Sequence, residues 1–201
     1  MQEIGILENL QKSLALKEGM LSYEMLGKSL SYNPYLPRII PQTKDCVFVT
    51  PDEVLETLLK ENTRTDCVIV NFKGLYEIGA PSVFDLEILG LLRRHASSLI
   101  VHQDFFISHY QLLESLVQGS DGVVLDEELL KEDLKGMIEF AWRLGLSVFV
   151  ETRKPDYTHL KDLGVLGVLE NSPHSLKDLG VLGVLEKNPH SYNQKKIVFL
   201  D

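Results

Sequence analysis

The chain has 201 residues, 44% apolar and 24% charged, which suits one domain with a sizeable core and does not suit a disordered, collagen-like or disulfide-rich class. Its formal net charge of −9, with no cluster of Lys and Arg, leaves nothing to neutralise a phosphate backbone and excludes nucleic acid as the expected partner. No run of about eighteen apolar residues exists to span a membrane, and acids interrupt the apolar positions of MQEIGILENLQKSLALKEG, unlike a secretory leader, so the expected location is the cytoplasm.

Leu7, Leu10 and Leu14 recur at helical spacing, which predicts an amphipathic helix over the first twenty residues, packed on the outside of the domain. In SYNPYLPRIIP, Pro34, Pro37 and Pro41 forbid a continuous helix and predict an extended linker. Residues 1–45 are therefore read as helix plus linker, and residues 46–201 as the main domain. From Cys46 a strand–turn–helix unit repeats. CVFVT runs into Thr50-Pro51-Asp52-Glu53, where threonine caps a helix, proline suits its first position and glutamate completes a capping box.

DCVIVNF then precedes PSVFDLEILGLLRRHA, SLIVHQ precedes HYQLLESLVQG, GVVLD precedes EELLKEDLKGMIEFAWRLG, and SVFVE precedes a short helix near YTHLKDLG. Strands that are continuous apolar runs, alternating with helices, indicate an α/β class with a parallel sheet covered by helices. Cys46 and Cys67 each begin a strand and read as core thiols, in preference to a metal pair or a disulfide.

Near the C-terminus LKDLGVLGVLENSPHS, 160–175, is followed at once by LKDLGVLGVLEKNPHS, 176–191, differing only in Asn171 against Lys187 and Ser172 against Asn188. So close a match over so short a unit indicates a recent in-frame tandem duplication more than an old structural repeat. One unit is short for a full parallel crossover, so one copy is expected to be surplus to the sheet. Strands are predicted at 46–50, 66–72, 98–103, 122–126, 147–151, one of 165–169 or 181–185, and 196–200. That makes seven, with an eighth only if both copies pair.

VHQDFFISHYQLLESLVQGSDGVVL resembles the third and fourth strands of indole-3-glycerol phosphate synthases, through Gln103, Asp104, Phe105, Tyr110, Gln111, Gly119, Ser120 and Asp121. IEFAWRLGLSVFVET is similar to that family's next helix and fifth strand, and GVLEKNPHSY to its sixth strand and loop, so the resemblance runs from Leu99 to Tyr192. It implies a TIM-type (β/α) barrel, here shortened or incomplete, with a site at the C-terminal ends of the strands. It also implies a lyase of tryptophan biosynthesis, acting on a substrate that carries a carboxylate and a phosphate, with no cofactor and no metal.

Such ring closure needs a cationic acid, a second acid/base pair and a phosphate cradle. Glu151 falls on the family's catalytic glutamate, whereas Gln103 stands in place of its catalytic lysine and cannot deliver a proton. The family's second lysine falls at Asp126-Glu127-Glu128, and Leu169 or Leu185 replaces its sixth-strand asparagine. No glycine-rich loop follows IVFLD, so the phosphate cradle is expected to be missing. Lys73, just past the second strand, and Arg153 are the remaining candidate cations.

The candidate site residues are thus Glu151, Gln103, Asp126 and Lys73. His102 beside Asp104 reads as a surface histidine, and His174 and His190 as products of the duplication. Asp126, Glu127, Glu128, Glu132 and Asp133 read as acids of the first turns of a helix, in preference to a divalent cation site. The expectation is a degenerate barrel that binds a small anionic metabolite or a protein, self-associates through its gap, or has that gap occluded by the N-terminal helix. The rivals are an active synthase with a rearranged site, and another enzyme built on Asp126 and Glu151.

Overall fold

Runs such as CVIV and GVVL carry apolar side chains on both faces of a strand, so each strand is stable only with material packed above and below it. The computed structural model of the protein describes residues 2–42, 46–54, 66–77, 79–170 and 196–200. Strands β1 (Cys46–Val49), β2 (Cys67–Asn71), β3 (Leu99–Gln103), β4 (Gly122–Asp126), β5 (Ser147–Thr152), β6 (Gly167–Glu170) and β7 (Lys196–Phe199) form one sheet in sequence order. The α-helices among the described residues are α1 (Gln2–Met20), α2 (Tyr23–Ser29), α3 (Val83–His95), α4 (His109–Val117), α5 (Glu127–Leu130), α6 (Leu134–Arg143) and α7 (Thr158–Asp162). The architecture is an incomplete TIM-type barrel.

Local start signals place the helices. Thr50 with Glu53, Ser82 with Asp85 and Ser108 with Gln111 each form a capping box, satisfying backbone donors that would otherwise be orphaned. The segment after β4, read as one helix, is broken: Lys131 takes a left-handed φ of 49°, and a 3₁₀ turn over Lys131–Asp133 separates α5 from α6.

Two apolar layers result. Val123, Leu125, Val148 and Val150 point outward against Leu112, Ile138 and Ala141 of the helices. Cys67, Ile69, Val101, Val124, Phe149 and Leu169 line the inner face. Burying each large apolar side chain contributes roughly 1.5–3 kcal/mol, so the layers hold the sheet in its curl.

The proline-rich linker closes the N-terminal end of this inner layer. Ile40, 2% exposed, packs among the inner residues, and Gly122 makes room for it: a Cβ there would lie 2.7 Å from the Ser147 carbonyl oxygen and 3.0 Å from Ile40 Cδ1. Asp121 anchors the linker. Its carboxylate accepts from the Arg38 backbone N–H at 2.8 Å, Arg38 Nη2 at 2.7 Å, Arg93 Nη1 at 2.6 Å and the Ile100 backbone N–H at 2.9 Å.

α1 packs on α4, where Lys17 pairs with Glu114 at 3.0 Å and the Tyr110 hydroxyl donates to the Leu21 carbonyl at 3.0 Å. That is beside the middle of the sheet, so α1 does not occlude its edges as the sequence suggested.

β1 to β6 run parallel, but β7 runs antiparallel to β6, with Glu170 opposite Lys196 and Gly167 opposite Phe199. A wholly parallel sheet was expected. The difference follows from where the chain re-enters: residues flanking 171–195 are register partners, so no crossover to the far end of the sheet is made. The first copy of the duplicated unit supplies β6; its last residues, His174 among them, and the whole second copy with His190 lie outside the described residues.

Deleting residues 176–191 shortens the connection between β6 and β7 from 25 to nine residues, still enough to join neighbouring strands. The deletion is expected to leave the cooperative unfolding transition in place and to stabilise by no more than about 1 kcal/mol through the shorter loop. Loss of that transition in urea would show that the second copy is part of the fold.

Candidate functional site

Side chains alternate along a strand, so Gln103, Asp126 and Glu151 share the inner face with Val101, Val124 and Phe149, two residues further toward the strand C-termini. Lys73 arrives from another direction. Asn71 Oδ1 accepts from the Lys73 backbone N–H at 3.0 Å, turning the chain at the end of β2 into a 3₁₀ helix over Lys73–Glu77. From that turn Lys73 Nζ reaches back over the sheet, donating to Asp126 Oδ2 at 2.6 Å and Glu151 Oε2 at 2.9 Å.

Gln103 Nε2 donates to the same Glu151 oxygen at 2.8 Å, and the Phe105 ring lies under the ammonium, 4.6 Å from it to the centroid. The side chains of Lys73, Asp126 and Glu151 are only 12%, 19% and 5% exposed. All four candidate residues therefore meet at one place. Arg153 does not join them: it pairs with Glu128 at 3.1 Å, out in solvent.

Burial alone would push the Lys73 ammonium toward losing its proton, but the Glu151 and Asp126 carboxylates outweigh it and hold the pKa above the ordinary lysine value. Lys73 is a fixed cation at neutral pH and a poor proton donor. One ammonium against two carboxylates leaves one negative charge in the cluster. Beside it lies a recess of about 20 Å³ lined by Asp126, Glu128, Glu151, Thr152 and Arg153. That space holds about one water. A larger recess, about 580 Å³, lies at the opposite end of the strands near Ile40, Trp142, Ser147 and Leu200, remote from the carboxylates.

The packing around the site adds to one sequence reading and corrects another. Glu127 is a first-turn acid of α5, as expected, and is also buried at 6% exposure, where it ties the loop after β5 to the end of β4. It accepts from Thr152 Oγ1 and from Lys154 Nζ at 2.6 Å, and lies 2.9 Å from His159 Nε2. Burial would raise its pKa; the bonds from Lys154, Thr152 and His159 win and hold it below the ordinary glutamate value.

His102 is not a surface histidine. It is 2% exposed, because it lies on the outer face of β3 beneath α4, edge-on to Phe72 and Phe106, with Nδ1 3.1 Å from Ser115 Oγ. Its Nε2 is 3.7 Å from Asp104 Oδ2, too far for a hydrogen bond. Asp104 instead accepts from the Phe105 backbone N–H at 2.7 Å and from the Tyr76 hydroxyl, whose pKa is raised by burial and by Asp104. With Ser115 fully buried, these groups form a structural network and not a reactive dyad.

No family model matches the chain. Among curated proteins it is similar to the indole-3-glycerol phosphate synthase of Campylobacter hominis, 32% identical over an alignment of 163 residues that covers 73% of this chain and 62% of that protein. The synthase of Campylobacter jejuni is 30% identical over 162 residues, and that of Sulfurimonas denitrificans 27% over 163. The similarity reaches well beyond the stretch from Leu99 to Tyr192 that carried it in the sequence. The chain spans 62–63% of the length of these relatives. No helix among the described residues is long and apolar enough to cross a membrane.

Proposed function

We propose that this chain, a homologue of the indole-3-glycerol phosphate synthases across 73% of its length, is a cytoplasmic binding protein that keeps their scaffold without their lyase chemistry. The observation that supports this reading is the bridge from Lys73 to Asp126 and Glu151, in which the cluster's one cation is held between two carboxylates and is not available to a substrate. A substrate bearing a carboxylate and a phosphate would meet net negative charge, a recess of about 20 Å³ and an amide, Gln103, where a proton donor is required. The same charge argues against an anionic metabolite as ligand. A protein partner is the better fit, because among the described residues β1 and β7 each pair on one side only. Open strand edges invite pairing with another chain, a second copy included.

The test is an indole-fluorescence assay with the carboxyphenylamino-deoxyribulose phosphate substrate at high enzyme concentration. No signal above the uncatalysed rate is expected. Turnover that disappears in Glu151→Gln would overturn the proposal and favour the second reading, an active synthase in which Lys73 supplies the cation 2.9 Å from Glu151. Light scattering of the intact chain reads the association arm, with a mass above that of the monomer expected.

A further inference from the structure

Cys46 and Cys67 are register partners on the neighbouring strands β1 and β2, both directed to the inner face at the N-terminal end of the sheet, away from the strand-end cluster. Paired strands lie about 4.8 Å apart, inside the Cα range that a disulfide can bridge. Cys46 also lies close enough to Cys67 to raise its pKa. We propose that they form a reversible redox site, closing to a disulfide by exchange with a small disulfide such as oxidised glutathione and stapling the β1 edge to β2.

The two cysteines differ in access. Cys67 is fully buried, whereas Cys46 is half-buried at the edge of the sheet. The neighbouring Cys46 side chain, then burial, then the charges of Asp121 and Asp66 hold the Cys67 thiol well above its ordinary pKa. Cys46 is therefore the entry point. Its thiolate, having released a proton to solvent, attacks one sulfur of oxidised glutathione and expels a glutathione thiolate, leaving a mixed disulfide.

That step places the Cys46 sulfur, now in a mixed disulfide, beside its register partner Cys67. Cys67 then loses its proton to solvent and attacks Cys46 Sγ, expelling the second glutathione thiolate. Both expelled thiolates take up protons, so two electrons and two protons pass from the dithiol to one glutathione disulfide.

Side chains at register positions of a parallel pair project side by side, somewhat wider than the Cβ spacing of a relaxed disulfide. β1 must shift toward β2 to close the bond, and a disulfide formed at that cost is easily reduced. The bond is thus a switch and not a permanent brace. Val47, 40% exposed on the same strand, belongs to the edge that the staple would hold.

The experiment uses the intact, fully reduced chain incubated with oxidised glutathione, then alkylated and digested without reductant. Cleavage at Lys60 and Arg64 separates the two cysteines, so a linked peptide pair containing Cys46 and Cys67, lost on adding dithiothreitol, is the expected product. Cys67→Ala should stop at the Cys46–glutathione adduct. Cys46→Ser should leave Cys67 unmodified, with circular dichroism reporting that each variant is folded. A wild-type chain that stops at the glutathione adduct, links between chains, or fails to react with excess oxidised glutathione would overturn the proposal.

Discussion

Asp121→Ala should lower the midpoint of urea unfolding far more than any surface substitution, by about 3 to 5 kcal/mol in free energy. The carboxylate is fully buried and receives both linker and sheet: Arg38 through its backbone and guanidinium, Arg93 through Nη1, and the Ile100 backbone N–H. Removing it takes the only carboxylate from two cations and the acceptor from two amides, leaving the guanidiniums with neutral carbonyls alone, Ser97 and Ser98 for Arg38 and Leu36 for Arg93. Arg38 has a side chain 34% exposed and regains some hydration, whereas Arg93, at 8%, does not, so most of the cost falls on Arg93. Since domains are stable by only about 5–15 kcal/mol, the variant should be partly unfolded at 37 °C. Lys28→Ala breaks an i,i+4 pair whose side chains are 65% and 77% exposed and should move the midpoint by no more than about 0.5 kcal/mol. Equal effects from the two variants would refute the anchoring role.

Lys73→Met should cost a similar amount, about 3 to 5 kcal/mol, for a different reason. It leaves Asp126 and Glu151, 19% and 5% exposed, as two like charges with no cation between them. The triple variant Lys73→Met, Asp126→Asn, Glu151→Gln removes every charge while keeping shape, and should recover most of that loss. Failure to recover would mean that Lys73 contributes by packing alone.

The pH dependence gives an independent check. Because the folded-state pKa of Lys73 is raised, its stabilisation is fully present below the unfolded lysine value of about 10.4 and is lost as pH climbs from there through the folded value. Wild-type stability should therefore fall over that alkaline window. The triple variant should lack this component, as measured by urea titrations at several pH values.

The strand positions were legible because β-branched runs and turn residues are local signals. CVFV, CVIVN, LIVHQ and GVVLD became β1 to β4 within a residue of expectation. Gln103, Asp126 and Glu151 were legible as a set because a strand end fixes both height and face. Lys73 was visible only as a residue past a strand. Its meeting with Asp126 and Glu151, 53 and 78 residues away, depends on the curl of the sheet, which no local pattern encodes. His102 was misread because the cover over it comes from α4, and a polar letter at a strand end does not reveal what packs above it. The direction of β7 was equally hidden, since an apolar run reads the same toward either end.

The order of the strands bears on how fast the fold can form. In a closed barrel the first and last strands must meet, a contact that spans the whole chain and has to be reached against the full entropy of closing that loop. Here, among the described residues, every strand pairing joins elements consecutive in sequence, from β1 with β2 to β6 with β7. Growth can begin at the capped β3–α4–β4 unit and proceed outward in both directions by short closures, which lowers contact order relative to a closed barrel of the same strands. The price of that speed is that, among the described residues, folding finishes with β1 and β7 each still able to add a strand.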